Sequence, residues 1–139
     1  MIPVVIFDGM SGAGKTTLRY KLYQYLDGNV LTIDRFTPSV WVYDYLREKN
    51  RRIEIQKIEE EFQAALFPLC VLLFCDFEES LKRISKNVFR ISKFTPEKEA
   101  RGFEIYRKDI SKYTNILCLD SSRKDSEILL KEILGRMKS

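Results

Sequence analysis

The chain has 139 residues, of which 45% are hydrophobic and 32% charged, and its formal net charge is +4. That length fits one domain, residues 1–139, around one core; the mild positive charge suits a small phosphate-rich ligand and falls short of a nucleic-acid-binding footprint. The absence of histidine excludes His-based triads, His metal sites and imidazole acid–base chemistry, which leaves carboxylates, lysine, tyrosine or water to move protons.

Pro3–Asp8 (PVVIFD) is a continuous apolar run rich in β-branched residues, the pattern of a strand buried on both faces. Gly9-Met10-Ser11-Gly12-Ala13-Gly14-Lys15-Thr16 follows and fits G-x-x-x-x-G-K-[ST] without a mismatch. Glycines at these positions let the backbone curl so that successive N–H groups converge on phosphate oxygens. The helix that begins there adds the partial positive charge of its N-terminus. In such a loop Lys15 reaches the β- and γ-phosphates of ATP, and the Thr16 hydroxyl is a Mg²⁺ ligand.

A helix is expected over Lys15–Leu26, stopped at Asp27-Gly28. Asn29–Asp34 (NVLTID) reads as a second strand similar to the first, and Arg35 follows its terminal aspartate. Further helices are expected over Val40–Lys49 and Ile53–Phe67. Leu69–Asp76 is the most apolar stretch and the third strand. Glu78–Phe89 reads as a helix, with Asp76 and Glu79 as its capping box. Lys82, Arg83, Lys86, Arg90 and Lys93 make a basic run that reads as a solvated helix face or, as a family resemblance implies, as a lid over the nucleotide around residues 84–97. A helix with proline in its first turn spans Pro96–Tyr113, Asn115–Asp120 is the fourth strand, and Lys124–Lys138 closes the chain as an amphipathic helix.

Strands alternating with helices imply parallel strands and right-handed crossovers. The expected fold is therefore α/β, three layers around a sheet of about four parallel strands. Ligands bind beyond the carboxyl ends of such strands, so the aspartates that end all four, Asp8, Asp34, Asp76 and Asp120, are expected to gather at that edge. Cys70, Cys75 and Cys118 form no C-x-x-C pair, and the first two sit in an apolar run as small hydrophobes. A reducing cytoplasmic setting is the simplest reading. No apolar run approaches the ~18 residues of a membrane span, and no signal-peptide pattern opens the chain.

The sequence VVIFDGMSGAGKTTL resembles the opening of thymidylate kinases, in which an apolar strand and an acidic residue precede a P-loop closed by two Ser/Thr residues. Asp34-Arg35-Phe36-Thr37-Pro38-Ser39-Val40-Trp41-Val42-Tyr43 resembles that family's D-R-Y-x-x-S-x-x-A-Y element. FPLCVLLFCDFEESLKRI, the Phe94-Thr95-Pro96-Glu97 segment and LDSSRKDSEILLKEI resemble the later parts of the family in order. The likeness is to a shortened member, because Gly28 leads directly into the Asp34 strand where the family carries another strand and a phosphate-contacting loop.

The resemblance implies a P-loop nucleoside monophosphate kinase that uses ATP and Mg²⁺, with dTMP as the family acceptor. It implies donor binding by Gly9, Ser11, Gly12, Ala13, Gly14, Lys15, Thr16 and Thr17, with Arg83, Ser122 and Arg123 toward adenine. Asp8, Arg35, Phe36, Ser39 and Tyr43 fall on the acceptor side, and Thr16 and Asp34 on the metal. Lys15, Asp34, Arg35, Asp8 and a lid arginine, Arg90, would carry catalysis. Asp8 has two readings, a cap on the strand-to-loop turn or a contact to Mg²⁺-bound water or the acceptor sugar. Alternatives left open are a kinase of deoxynucleosides or polynucleotide 5′-hydroxyls, with Asp34 as base, and an ATP-binding module without turnover. The expected partner is a small nucleotide, with nucleic acid and membrane not expected and a homodimer open.

Overall fold

The structure, a computed structural model, describes residues 2–64, 69–84, 94–112 and 116–138. Four parallel strands, β1 (Val4–Gly9), β2 (Leu31–Asp34), β3 (Leu69–Phe74) and β4 (Leu117–Asp120), form one sheet in the order β2-β1-β3-β4. Six helices flank it: α1 (Lys15–Tyr25), α2 (Thr37–Leu46), α3 (Arg52–Ala64), α4 (Phe77–Ile84), α5 (Pro96–Ile110) and α6 (Ser126–Met137). This is the expected three-layer α/β fold.

Side-chain parity along β1 divides the molecule. Val5 and Phe7 point into a core with Leu18 and Leu22 of α1 and Leu129, Leu130 and Ile133 of α6. Across the sheet a second core gathers Met10, Val42, Leu46, Leu72, Tyr106 and Ile110, from β3, α2 and α5. Asp8 alternates with Phe7 and so turns toward that second layer. The register pairs Phe7 with Asp34, so Asp34 turns toward the α1 layer. Two aspartates at one sheet edge are thereby sent to opposite faces.

The β2 strand departs from expectation. It was expected to be buried like β1, yet Leu31 and Ile33 are 55% and 37% exposed. Its position at the edge of the sheet explains this, since only β1 pairs with it. The α2 helix starts at Thr37 rather than Val40, because Pro38 occupies its first turn, where a missing N–H costs nothing. Within α3, Ile55 is buried, whereas Ile58, placed on the same apolar face by periodicity, is exposed. The basic positions 86, 90 and 93, and with them most of the expected lid, lie outside the described residues.

Candidate nucleotide site at the carboxyl edge of the sheet

The loop between β1 and α1 is shaped by its glycines. A Cβ on Gly9 would lie 2.5 Å from the Leu73 carbonyl oxygen, so only glycine lets the loop leave the sheet so close to β3. Gly14 is the N-cap of α1 at φ 99°, in the left-handed region, and no side chain among the described residues caps that helix. An uncapped helix N-terminus following a glycine-rich turn is suited to an anion.

The loop is braced from outside through its own carbonyls. Lys15 Nζ donates to Gly9 O at 2.7 Å. Arg83 Nη1 of α4 donates to Gly12 O at 2.9 Å, and the Ser121 hydroxyl donates to Ala13 O at 2.6 Å. Arg83 also bonds the Ser121 carbonyl and hydroxyl. It thus ties the P-loop to the turn after β4. Arg83, expected toward adenine, forms in this structure a strut between two loops. Ser121 is 3% exposed and sits at the centre of that strut. Ser122 receives the Asp76 N–H on its hydroxyl and donates its own N–H to Asp120. Arg123, Thr16 and Thr17 are exposed.

Of the four strand-end aspartates, Asp34 is the one turned to the loop. It lies 3.7 Å from Lys15 Nζ and 3.7 Å from Arg19 Nη1, with its side chain 42% exposed. Asp76 accepts from Arg107 at 3.0 Å and Asp120 from Ser122, so both serve local structure. Among the described residues no group of three or more Cys, Asp or Glu gathers to hold a metal. Mg²⁺ at phosphate sites is commonly held through one or two protein oxygens plus water and substrate phosphates. The Thr16 hydroxyl and the Asp34 carboxylate are the right donor types.

Asp8 had two expected readings, a cap on the strand-to-loop turn or a contact to Mg²⁺-bound water or the acceptor sugar hydroxyl. In this structure it meets neither solvent nor the open edge: it is 0% exposed. Its Oδ1 accepts from Phe36 N at 2.9 Å and, in a short bond, from the Ser39 hydroxyl. Its Oδ2 accepts from Ser39 N at 2.9 Å and from the Tyr106 hydroxyl at 3.1 Å. Burial pushes its pKa up, against the lowering effect of the Ser39 and Phe36 hydrogen bonds and of Lys15. Phe36 and Ser39, expected on the acceptor, are likewise buried and spent on Asp8.

Arg35 has φ 90°, a conformation that side-chain-bearing residues rarely adopt. Its N–H donates to Phe7 O at 2.8 Å, and its guanidinium lies 5.0 Å from the Tyr43 ring and 3.3 Å from the Ser39 hydroxyl. The Tyr43 hydroxyl in turn takes the Ser11 N–H of the P-loop at 3.1 Å. Tyr43 stacks on Phe94, and Arg47 lies over both rings. Tyr43 thus touches the P-loop directly, and Arg35 lies beside it through the Tyr43 ring. Arg90 lies outside the described residues.

No protein-family model matches the chain, and no curated protein does. Solved structures do. The chain is similar to YorR protein from Bacillus subtilis, determined in complex with phosphorylated GDP, at TM-score 0.74 and 18% identity over 98% of this chain and 96% of that one. It is also similar to the deoxyadenosine kinase from M. mycoides with bound dATP, at TM-score 0.68 and 13% identity over 98% of this chain and 100% of that one. At these identities the likeness is one of fold. The fold they share with this chain is a P-loop kinase-like α/β fold around a parallel four-stranded sheet.

Proposed function

We propose that this protein transfers the γ-phosphoryl group of ATP to a (deoxy)nucleoside monophosphate, dTMP to dTDP being the transfer that its sequence resemblance favours. The observation that carries this reading is the run Asp34-Arg35 at the end of β2. Asp34 faces Lys15 of the P-loop, and the next residue, a strained arginine, projects a planar fork suited to a phosphate. An oxygen of the acceptor phosphate attacks the γ-phosphorus as the bond to the β-phosphate oxygen breaks, and ADP leaves. Phosphoryl transfer needs positioning and charge stabilisation more than covalent help from the protein. Lys15 and the P-loop amides hold the donor phosphates, and Arg35 holds the acceptor phosphate in line. Thr16 and Asp34 would hold Mg²⁺, which supplies charge neutralisation between the β- and γ-oxygens.

Arg83 acts in this reading by keeping the P-loop and the Ser121–Arg123 turn in fixed relation. Ser122 and Arg123 border the adenine end, and Arg90 is the lid cation. Two fold neighbours bind nucleotides by their own descriptions, which supports nucleotide chemistry. A cytoplasmic setting belongs to the same reading: burial pushes the thiols of half-buried Cys70 and buried Cys75 up to about 11, so both stay protonated near neutral pH. Among the described residues no helix is long and apolar enough to cross a membrane. A homodimer remains part of the proposal, with β2 as an uncovered sheet edge.

A second reading is a kinase of unphosphorylated nucleosides, in which Asp34 accepts the proton of the attacking hydroxyl. It is favoured by the guanidinium of Arg35, which is engaged with Tyr43 and Ser39. ADP release from Mg·ATP with a panel of nucleoside monophosphates, nucleosides and a 5′-hydroxyl oligonucleotide separates the two. Turnover confined to monophosphates and lost in Arg35→Ala supports the first reading. Turnover confined to unphosphorylated acceptors overturns it in favour of the second, and binding without transfer overturns both.

A further inference from the structure

We infer that Asp8 is a positioning residue: it touches neither substrate, and it sets the acceptor end of the site by holding the Arg35 loop in its strained form. The inference rests on the proposed role of Arg35 and adds to it the group through which Arg35 is held.

Parity on β1 sends the Asp8 carboxylate under the start of α2 rather than into the P-loop. There it accepts the N–H of Phe36, the N-cap of α2, and the N–H of Ser39, three residues on. The α2 N-cap has no side-chain cap of its own. A helix start has unpaired N–H groups and a partial positive charge. Here both are met by a carboxylate 28 residues back in sequence and buried to 0% exposure.

Arg35 is pinned on both sides by this arrangement. Its own N–H is tied to the carbonyl of Phe7, and the next N–H is tied to the carboxylate of Asp8. Two successive amides fixed to two successive residues of β1 hold the arginine at φ 90°. Strained backbone persists only where its surroundings over-determine it, and these are the surroundings. A second path reaches the side chain. Arg35 Nη1 donates to the Ser39 hydroxyl, which donates to Asp8. The carboxylate thus orients the oxygen that receives the guanidinium.

The same carboxylate extends to α5 through the Tyr106 hydroxyl. The α5 helix lies tightly on α2: a Cβ on Gly102 would come within 2.9 Å of Leu46 Cδ1 and 3.1 Å of Met10 Cε. Asp8 is therefore the point where β1, α2 and α5 meet, one residue before the P-loop.

A double-mutant cycle on Asp8→Asn and Arg35→Ala tests this, with acceptor KM, kcat and the Kd of a fluorescent ATP analogue measured separately. Hydrogen exchange at the Phe36 and Ser39 amides gives a readout independent of turnover. Loss of a buried charge-assisted contact is expected to raise acceptor KM about 10–100-fold in Asp8→Asn. The ATP-analogue Kd should stay within about twofold, and the same change should add little in the Arg35→Ala background, as for residues acting through one another. Both amides should exchange faster. Full additivity, or a fall in kcat with acceptor KM unchanged, would mean that Asp8 acts on the reacting groups directly, and would overturn the inference.

Tyr106→Phe removes one of the four donors and leaves the carboxylate. It should raise acceptor KM by a smaller factor with ATP-analogue binding unchanged, so the inference remains testable if Asp8→Asn does not fold. If wild-type protein turns over no acceptor, the kinase reading fails by itself, and the exchange arm alone decides: Phe36 and Ser39 amides still protected in both variants sink the role of Asp8.

Discussion

The donor and acceptor sides of the candidate site are built on different principles. The P-loop is braced by three separate side chains, Lys15, Arg83 and Ser121, each donating to a different carbonyl of the loop. The Arg35 loop is tied by two successive amides to the end of β1, at the Phe7 carbonyl and the Asp8 carboxylate, holds a strained residue, and borders a sheet edge whose Leu31 is more than half exposed. A part braced at several points tolerates the loss of one brace. A part that holds a strained residue against the end of one strand depends more on each of its ties, and its geometry is easier to alter. The donor end is thus the generic part of the fold, and the acceptor end is where specificity would be set.

The largest expected effect breaks the donor side at its one chemical group. Lys15→Ala removes the cation from the donor phosphates and is expected to lower kcat by about 10²–10³-fold or more, by analogy with losing a preorganised donor. A coupled ADP-release assay reads this. Arg35→Gly separates strain from function on the other side. It should raise acceptor KM about 10–100-fold through the lost charge-assisted contact. It should also stabilise the fold, because relief of a backbone cost of about 1–3 kcal/mol outweighs the entropy cost of glycine, about 0.5–1 kcal/mol. Acceptor kinetics read the first effect, and urea unfolding of the variant beside wild type reads the second. If stability falls, Arg35 is not strained.

Ser121→Ala should cost about 1–3 kcal/mol, since it leaves the Ala13 carbonyl short of a donor inside the core. Calorimetry should show a lower Tm, while acceptor KM stays near wild type because the damage lies on the donor side. The smallest effect concerns the turn after α2, where Asp44, 2% exposed, accepts from Arg51 N at 3.1 Å and Nε at 2.8 Å. Burial works against its ionisation, but the hydrogen bonds and charge of Arg51 and the charge of Lys49 prevail, so its pKa is lowered from 3.8. A lowered carboxyl pKa stabilises the fold fully above the ordinary value, and that contribution is lost as the pH falls through the lowered one. Acid unfolding of wild type and Asp44→Asn should differ at neutral pH and converge below the lowered pKa.

Much of this was legible in the sequence because it is local. Gly9–Thr16 names its own geometry, and the β-branched runs and their terminal aspartates place the sheet edge. What escaped was set by parity and by distant partners. Nothing within reach of Asp8 in sequence says that it faces α2 rather than the loop, since that depends on which helix covers which face of β1. Arg83 sits in a basic run that reads as nucleotide-facing, but the carbonyls of Gly12 and Ser121 claim it from 71 and 38 residues away. The burial of β2 was overestimated because an apolar run of four or five residues looks alike at the centre and at the edge of a sheet.

The most direct test of the central claim is the acceptor dependence of ADP release from Mg·ATP in wild type, Lys15→Ala and Arg35→Ala. The account predicts turnover with a nucleoside monophosphate, dTMP or a close relative. It should be abolished in Lys15→Ala and shifted to high acceptor KM in Arg35→Ala. Equal turnover in wild type and Arg35→Ala, or ATP hydrolysis indifferent to any acceptor, would contradict it.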